Sequence, residues 1–400
     1  MDRKLKNRII LVLGALSALG PFTIDMYLPG FPAIAADLNT SIARVGLSLT
    51  SYFIGISVGQ LFYGPLVDRY GRKKPLLAGL LMYIVAAIGC ALSPTVDWLI
   101  WQRLLLALGG CAGIVASRAM VRDLFPTNET ARVFSTLILI MGVAPIIAPT
   151  IGGYVTAHFG WRIIFYVLVG IAALLFVLVY RFLPESKQPD PSISLRPLRV
   201  LQEYGQVVRE PEFLAYAFAG SIAFAGLFAY ISGSPFVFME YFQLSETWYG
   251  WLFGLNAFGF ILGSQINRLW LRYRSAAQIS RRAVWAQAAA GLALAAGSLL
   301  GLLSTTSSLA LIFIYMFFIG FIAPNATALA LKPFTRFAGS ASALLGSLQM
   351  LTGALASGLV SYLHNGTPMP MAFIMAGGAS LSLLILLGYR HKERRALAAA

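Results

Sequence analysis

Gly64-Pro65-Leu66-Val67-Asp68-Arg69-Tyr70-Gly71-Arg72-Lys73-Lys74-Pro75 is a charged turn set between two apolar runs. Residues 45–67 before it and 75–96 after it contain no Asp, Glu, Lys or Arg. A helix needs about 20 predominantly apolar residues to cross a bilayer, so each run predicts one span. Short loops rich in Lys and Arg stay on the cytoplasmic side. The stretch therefore reads as a two-span hairpin whose turn faces the cytoplasm.

The rest of the 400-residue chain follows the same logic. It is 58% apolar and 11% charged, whereas about a quarter of a soluble domain is charged. Residues 283–331 and 337–389 are also uncharged, and each is about twice one span. Polar turns divide them, at Ser304–Ser308 and at Asn365–Pro368. Twelve spans are predicted, at 8–30, 43–67, 75–93, 98–121, 132–157, 161–183, 212–238, 247–269, 281–303, 308–331, 338–363 and 369–389. With both termini cytoplasmic, 27 of the 30 Lys and Arg fall on the cytoplasmic side, Arg44, Arg103 and Arg162 being the exceptions. The formal net charge of +15 is thus topological, and no nucleic-acid partner is expected. Arg3, Lys4, Lys6 and Arg8 before an apolar run invite a signal-peptide reading, but the run continues through Asp25 and Pro29 without a small-residue cleavage site. Cys90 and Cys111 both fall in spans and read as small packing residues. No metal site or cofactor is expected.

The one long polar stretch, 184–211, divides the chain into residues 1–183 and 212–400, each with six predicted helices, and reads as a cytoplasmic linker. With an offset of 199, Gly55, Gly64 and Arg69 match Gly254, Gly263 and Arg268, while Asp68 falls on Asn267. A degraded second copy of the hairpin between spans 8 and 9 supports a duplicated fold. The expected class is an all-α membrane protein of twelve transmembrane helices in two pseudo-symmetric six-helix bundles.

The hairpin pattern resembles the loop 2–3 signature of the major facilitator superfamily, with Gly64, Asp68, Arg69, Gly71, Arg72, Lys73 and Lys74 in register. Ile24-Asp25-Met26-Tyr27-Leu28-Pro29, Met120-Val121-Arg122-Asp123-Leu124 and Gly233-Ser234-Pro235-Phe236-Val237 extend the resemblance to the bicyclomycin-resistance and chloramphenicol/florfenicol exporter (Bcr/CflA) group. The resemblance implies a major facilitator fold and proton-driven export of small drugs across a bacterial inner membrane, by a chain expected to be a monomer. It also implies that Asp68 approaches the N-terminus of a helix in the second half, where the dipole favours an anion. Asp68 and Arg72, with Arg122-Asp123, would form a cytoplasmic ion-pair cluster that gates opening, together with Gly64, Arg69 and Gly71. The competing reading is that these charges only fix topology.

Asp25 is the first candidate for proton coupling, because an ionisable residue within a span is costly to bury and functional by default. Alternatively it is hydrated near the outer interface. Arg103, in span 4 at a similar depth, is its natural partner; the alternative is an Arg that snorkels to headgroups. In the superfamily the Arg of span 4 belongs to a motif followed by Gln and Gly, and Leu106 and Ala107 stand there in this chain. Span 5 carries Ala144-Pro145-Ile146-Ile147-Ala148-Pro149-Thr150-Ile151-Gly152-Gly153. It resembles the G-x-x-x-G-P-x-x-G-G motif of drug–proton antiporters, with Ala at the first two Gly positions. Pro145, Pro149, Gly152 and Gly153 equally suit an ordinary kinked packing helix. Tyr27, Tyr52, Gln60, Tyr230, Asn256, Asn325 and Gln349 are polar residues within spans and candidate substrate contacts; Glu240 reads as a gate residue or a solvated one.

Three functions compete: a drug–proton antiporter, a proton-coupled exporter of a metabolite such as a sugar or dipeptide, and a membrane-embedded enzyme. The third is weakest, since His158, His364 and His391 all lie at predicted helix ends and no nucleophile or metal constellation accompanies them. No G-x-x-x-x-G-K-S/T loop is present for nucleotide binding.

Overall fold

A computed structural model describes residues 3–191, 197–334 and 338–399. Among these, every regular element is helical. Twelve helices of 19 residues or more coincide with the twelve predicted spans. They are α1 (Arg3–Asp25), α3 (Ile42–Arg69), α4 (Lys73–Ala91), α5 (Val96–Leu124), α6 (Thr127–Phe159) and α7 (Arg162–Phe182), then α9 (Pro211–Pro235), α10 (Glu246–Trp270), α11 (Ala276–Leu299), α12 (Thr305–Leu331), α13 (Ala338–Tyr362) and α14 (Met369–Ala399). Two shorter helices, α2 (Phe31–Asp37) and α8 (Pro197–Val208), complete the set. Ten segments are long and apolar enough to cross a membrane. The helices outside that group, α10 and α11, are as long but dilute their apolar residues with Asn256, Gln265 and Asn267 and with an Ala-rich run after Arg281 and Arg282.

Local chemistry marks the helix starts. The side chains of Ser41, Thr95, Ser275 and Ser304 accept a backbone N–H from the residue three positions on, at the starts of α3, α5, α11 and α12. Each satisfies one of the orphan donors of a first turn. One departure from expectation matters for function. The first span is broken: α1 stops at Asp25, a 3₁₀ turn follows at Leu28–Gly30, and α2 carries the chain on to Asp37. Pro29 and Pro32 sit early in these short elements, where a missing N–H costs little. A π-helical turn, Phe236–Tyr241, similarly follows Pro235 at the end of α9.

The chain falls into two compact units, one of residues 1–200 with 245–254, the other of residues 201–244 with 255–400. In the first, α5 packs on α3 and α4, α4 on α7, and α1 on α6. Small residues allow these approaches: a Cβ on Gly55 of α3 would lie 2.6 Å from Ala107 Cβ and 2.8 Å from the Leu104 carbonyl of α5. In the second unit, α9 packs on α12, α13 and α14, and α11 on α12 and α14. There the close seam joins α10 to α12, where a Cβ on Gly263 would sit 1.9 Å from the Phe317 carbonyl oxygen. Gly64, which matches Gly263 in the sequence repeat, has no such neighbour. Cys90 and Cys111 are free and buried.

Candidate functional site

The break after α1 places Asp25 as the last residue of a helix. It is nonetheless 4% exposed. A carboxylate there faces two costs at once, removal from water and the negative end of the helix dipole. Asp25 has no ion-pair partner among the described residues. Arg103 does not supply one, in contrast to the partnership expected from their depths. Its guanidinium is fully buried, lies 4.5 Å from the ring centres of both Tyr27 and Tyr52, and donates from Nη1 to the Thr23 carbonyl at 3.1 Å. Among the described residues its Nε and Nη2 have no partner. The cation is therefore held by aromatic faces and one carbonyl rather than by an anion.

The surrounding hydroxyls fix this arrangement. Thr23 Oγ1 donates to the Leu19 carbonyl at 2.6 Å and lies 2.6 Å from Tyr83 Oη. Tyr27 Oη is 2.9 Å from Ser48 Oγ. The structure thus gathers Asp25, Tyr27, Tyr52 and Arg103 in one buried group, with Thr23, Ser48 and Tyr83 as members that no sequence pattern singles out. Gln60 is buried further along α3. Helix α6 packs against this group through Gly152, whose Cβ would lie 2.1 Å from the Met26 carbonyl oxygen. The neighbouring Gly153 meets the Glu246 carbonyl, at 2.9 Å from its would-be Cβ. Pro145 and Pro149 lie inside an unbroken α6.

At the other end of the same helices stands the charged hairpin. Arg72 is the hub: Nε donates to Asp123 Oδ2 at 2.8 Å and Nη1 to Asp68 Oδ1 at 2.6 Å. Burial opposes its charge, but the hydrogen bonds to Asp123 and Asp68 outweigh it and raise its pKa above the ordinary value. Gly71 turns the chain at φ +82, a conformation that side chains rarely adopt. Arg69 lies against Tyr70, 5.8 Å from its ring centre, and a Cβ on Gly64 would meet nothing within 4 Å. The start of the polar stretch joins the cluster. Glu185 accepts the backbone N–H groups of Arg72 and Lys73, at 2.6 and 3.1 Å, and so caps α4 with an anion. Ser186 Oγ donates to Asp123 at 2.9 Å and Lys187 Nζ to Asp68 at 3.0 Å. Asp190 N–H reaches the Arg69 carbonyl at 3.0 Å. Arg122, grouped with this cluster from the sequence, is exposed and outside it.

The second unit holds neutral polar pairs. Asn256 donates to Tyr230 Oη at 3.0 Å, and its own Oδ1 has no partner among the described residues. Asn325 and Asn267 exchange amide hydrogen bonds at 2.7 and 3.4 Å. Gln349 is half-buried in α13, and Glu240 is exposed in the π-helical turn. Among the described residues, no His, Cys, Asp and Glu side chains cluster in a way that could hold a metal ion.

A family model described as Major Facilitator Superfamily matches residues 13–357. The chain is 37% identical over 394 residues to "Uncharacterized MFS-type transporter YdgK" of Bacillus subtilis, covering 97% of each chain. It is 34% identical over 378 residues to "Bicyclomycin resistance protein homolog" of Haemophilus influenzae, covering 94% of each. Among solved structures it is similar to a D-xylose-proton symporter, with TM-score 0.73, 14% identity, and coverage of 95% of this chain and 96% of that one. At that identity the likeness is one of fold.

Proposed function

The chain belongs to the Major Facilitator Superfamily, and on that premise we propose that it is a secondary active exporter exchanging small drugs for protons by alternating access. As a member of that superfamily it is a multi-pass membrane transporter and not an enzyme. The drug class rests on the near full-length similarity to the bicyclomycin-resistance homologue. The observation that carries the mechanism is Asp25: a buried carboxylate at a helix end, without an ion-pair partner among the described residues, two positions after the Thr23 carbonyl to which Arg103 donates. An uncompensated anion there is costly, so the site alternates between binding a proton and binding a substrate group. Tyr27 and Tyr52 hold Arg103 in place, and Arg103 offers its free donors to substrate or water. The Arg72 cluster is the gate at the cytoplasmic end, and Gly152 with Gly153 forms the close seam that α6 needs at the other. The protein acts as a monomer in the bacterial inner membrane, with both termini cytoplasmic.

The test is transport in proteoliposomes with an imposed pH gradient. One charge moved across the membrane is worth about 2.3 kcal/mol per 100 mV, so loss of a titrating group removes a measurable driving force. Asp25→Asn keeps the volume and mimics the protonated form. It is expected to abolish uphill drug export and drug-induced proton release while leaving binding of neutral compounds. Uphill export by Asp25→Asn would remove Asp25 from the coupling role.

A further inference from the structure

Arg118 lies inside α5, six residues before the helix ends at Leu124. At 1.5 Å per residue it is about 9 Å from that end, deeper than the last turn, in which the helix dipole favours a cation. Its side chain is nonetheless exposed. The exposed apolar stripe of α5 is formed by Trp98, Trp101 and Leu105, and Arg118 points about 100–160° around the helix from it. An ionisable side chain at membrane depth that avoids the lipid face needs water or a partner.

Among the described residues no carboxylate answers it. Asp68 and Asp123 are held by Arg72 and by Lys187 and Ser186. Glu185 caps α4, and Glu129 pairs with Lys6. Among the described residues neither Arg118 nor Arg122, one turn further on, has a hydrogen-bond or ion-pair partner. Like charges four residues apart on a helix repel. An anion shared between two guanidinium groups relieves that repulsion, and their planar forks suit carboxylate or phosphate oxygens.

We propose that Arg118 and Arg122 form a binding site for the anionic oxygen group, carboxylate or phosphate, of a transported solute. This deepens the exporter reading and rests on it, by naming anionic and zwitterionic compounds among the substrates. A phospholipid headgroup carries the same chemistry, so the test must separate the two sources.

The test is a phenylglyoxal footprint on the full chain in phosphatidylcholine nanodiscs, read arginine by arginine from peptide masses. Arg118 is expected to react, and benzoate at about ten times its Kd to slow that reaction about tenfold, since protection scales as 1 + [L]/Kd. Benzamide, of the same shape without the charge, should give no protection, and Arg122→Gln should weaken the protection by benzoate. An unreactive Arg118, no protection by benzoate, or equal protection by benzamide overturns the proposal. Protection only by phosphatidylglycerol in the nanodisc also overturns it, as a lipid site. In proteoliposomes, Arg118→Gln should lower export of a carboxylate-bearing drug relative to its methyl ester by about the same factor; an unchanged ratio counts against the site. If the native protein exports neither compound, the exporter reading fails, while the footprint still decides the site.

Discussion

Replacing Arg103 by methionine separates its contribution to stability from its contribution to transport. The guanidinium is fully buried, and Nε and Nη2 have no partner among the described residues. Burying such donors costs free energy that the two ring contacts, worth up to about 2 kcal/mol each when desolvated, only partly offset. Methionine fills similar space between Tyr27 and Tyr52 without that cost. Arg103→Met is therefore expected to raise or preserve the thermal unfolding temperature in detergent while abolishing uphill transport. A clear fall in that temperature would make Arg103 a structural residue. The sequence makes both Asp25 and Arg103 visible, because a lone charge in an apolar run stands out. It does not reveal that they fail to pair, since the break after Asp25 and the register of α1 against α5 are tertiary facts. Arg118 is missed for a related reason. Charge counting groups it with the loop after α5, and only the helix extending to Leu124 shows it to be a turn and a half inside.

Two contacts between elements of the first unit bear on transport. Gly152→Ala would push a methyl group into the Met26 carbonyl, which a Cβ would approach to 2.1 Å. Overpacking of this kind costs about 1–3 kcal/mol, and here it displaces the turn that follows Asp25. The variant should insert normally yet lose transport. Gly170→Ala in α7, where a Cβ meets nothing within 4 Å, is the control and should gain about 0.5–1 kcal/mol in stability. Normal transport by Gly152→Ala would show that α6 tolerates a wider seam. The second contact is the Arg72 cluster. Asp68→Asn and Arg72→Ala should preserve insertion and impair transport, as should Glu185→Gln, which weakens the anionic cap on α4 by about 0.3–1 kcal/mol. If all three transport normally at matched expression, the cluster serves topology alone. The hairpin was legible as a motif, with Asp68, Arg72 and Asp123 as candidates. The part played by Glu185, Ser186 and Lys187 was not, because they read as the start of a linker until the fold brings them to the turn.

Across the whole molecule the two copies of the hairpin carry different chemistry. The first unit contains Asp25, Arg103 and the Arg72 cluster, whereas in the second an amide, Asn267, stands where Asp68 would recur and bonds Asn325. Twelve helices were legible because bilayer thickness sets their length. The weak repeat hinted at duplication but could not show this division, since Gly64 and Gly263 match in sequence and differ in surroundings. The same charge pattern makes a final expectation. Of the 30 Lys and Arg, 27 lie on the side assigned to the cytoplasm, and an anionic leaflet attracts such residues by about 1 kcal/mol each. Inverting the chain would place them all on the wrong face. In a background without Cys90 and Cys111, Gln188→Cys, in the exposed polar stretch after α7, should react with an impermeant maleimide only after spheroplasts are permeabilised. Leu302→Cys, 72% exposed in the turn between α11 and α12, should react in intact spheroplasts. The opposite pattern would invert the topology. It would also move the Arg72 cluster to the outer face, where it could not act as the cytoplasmic gate.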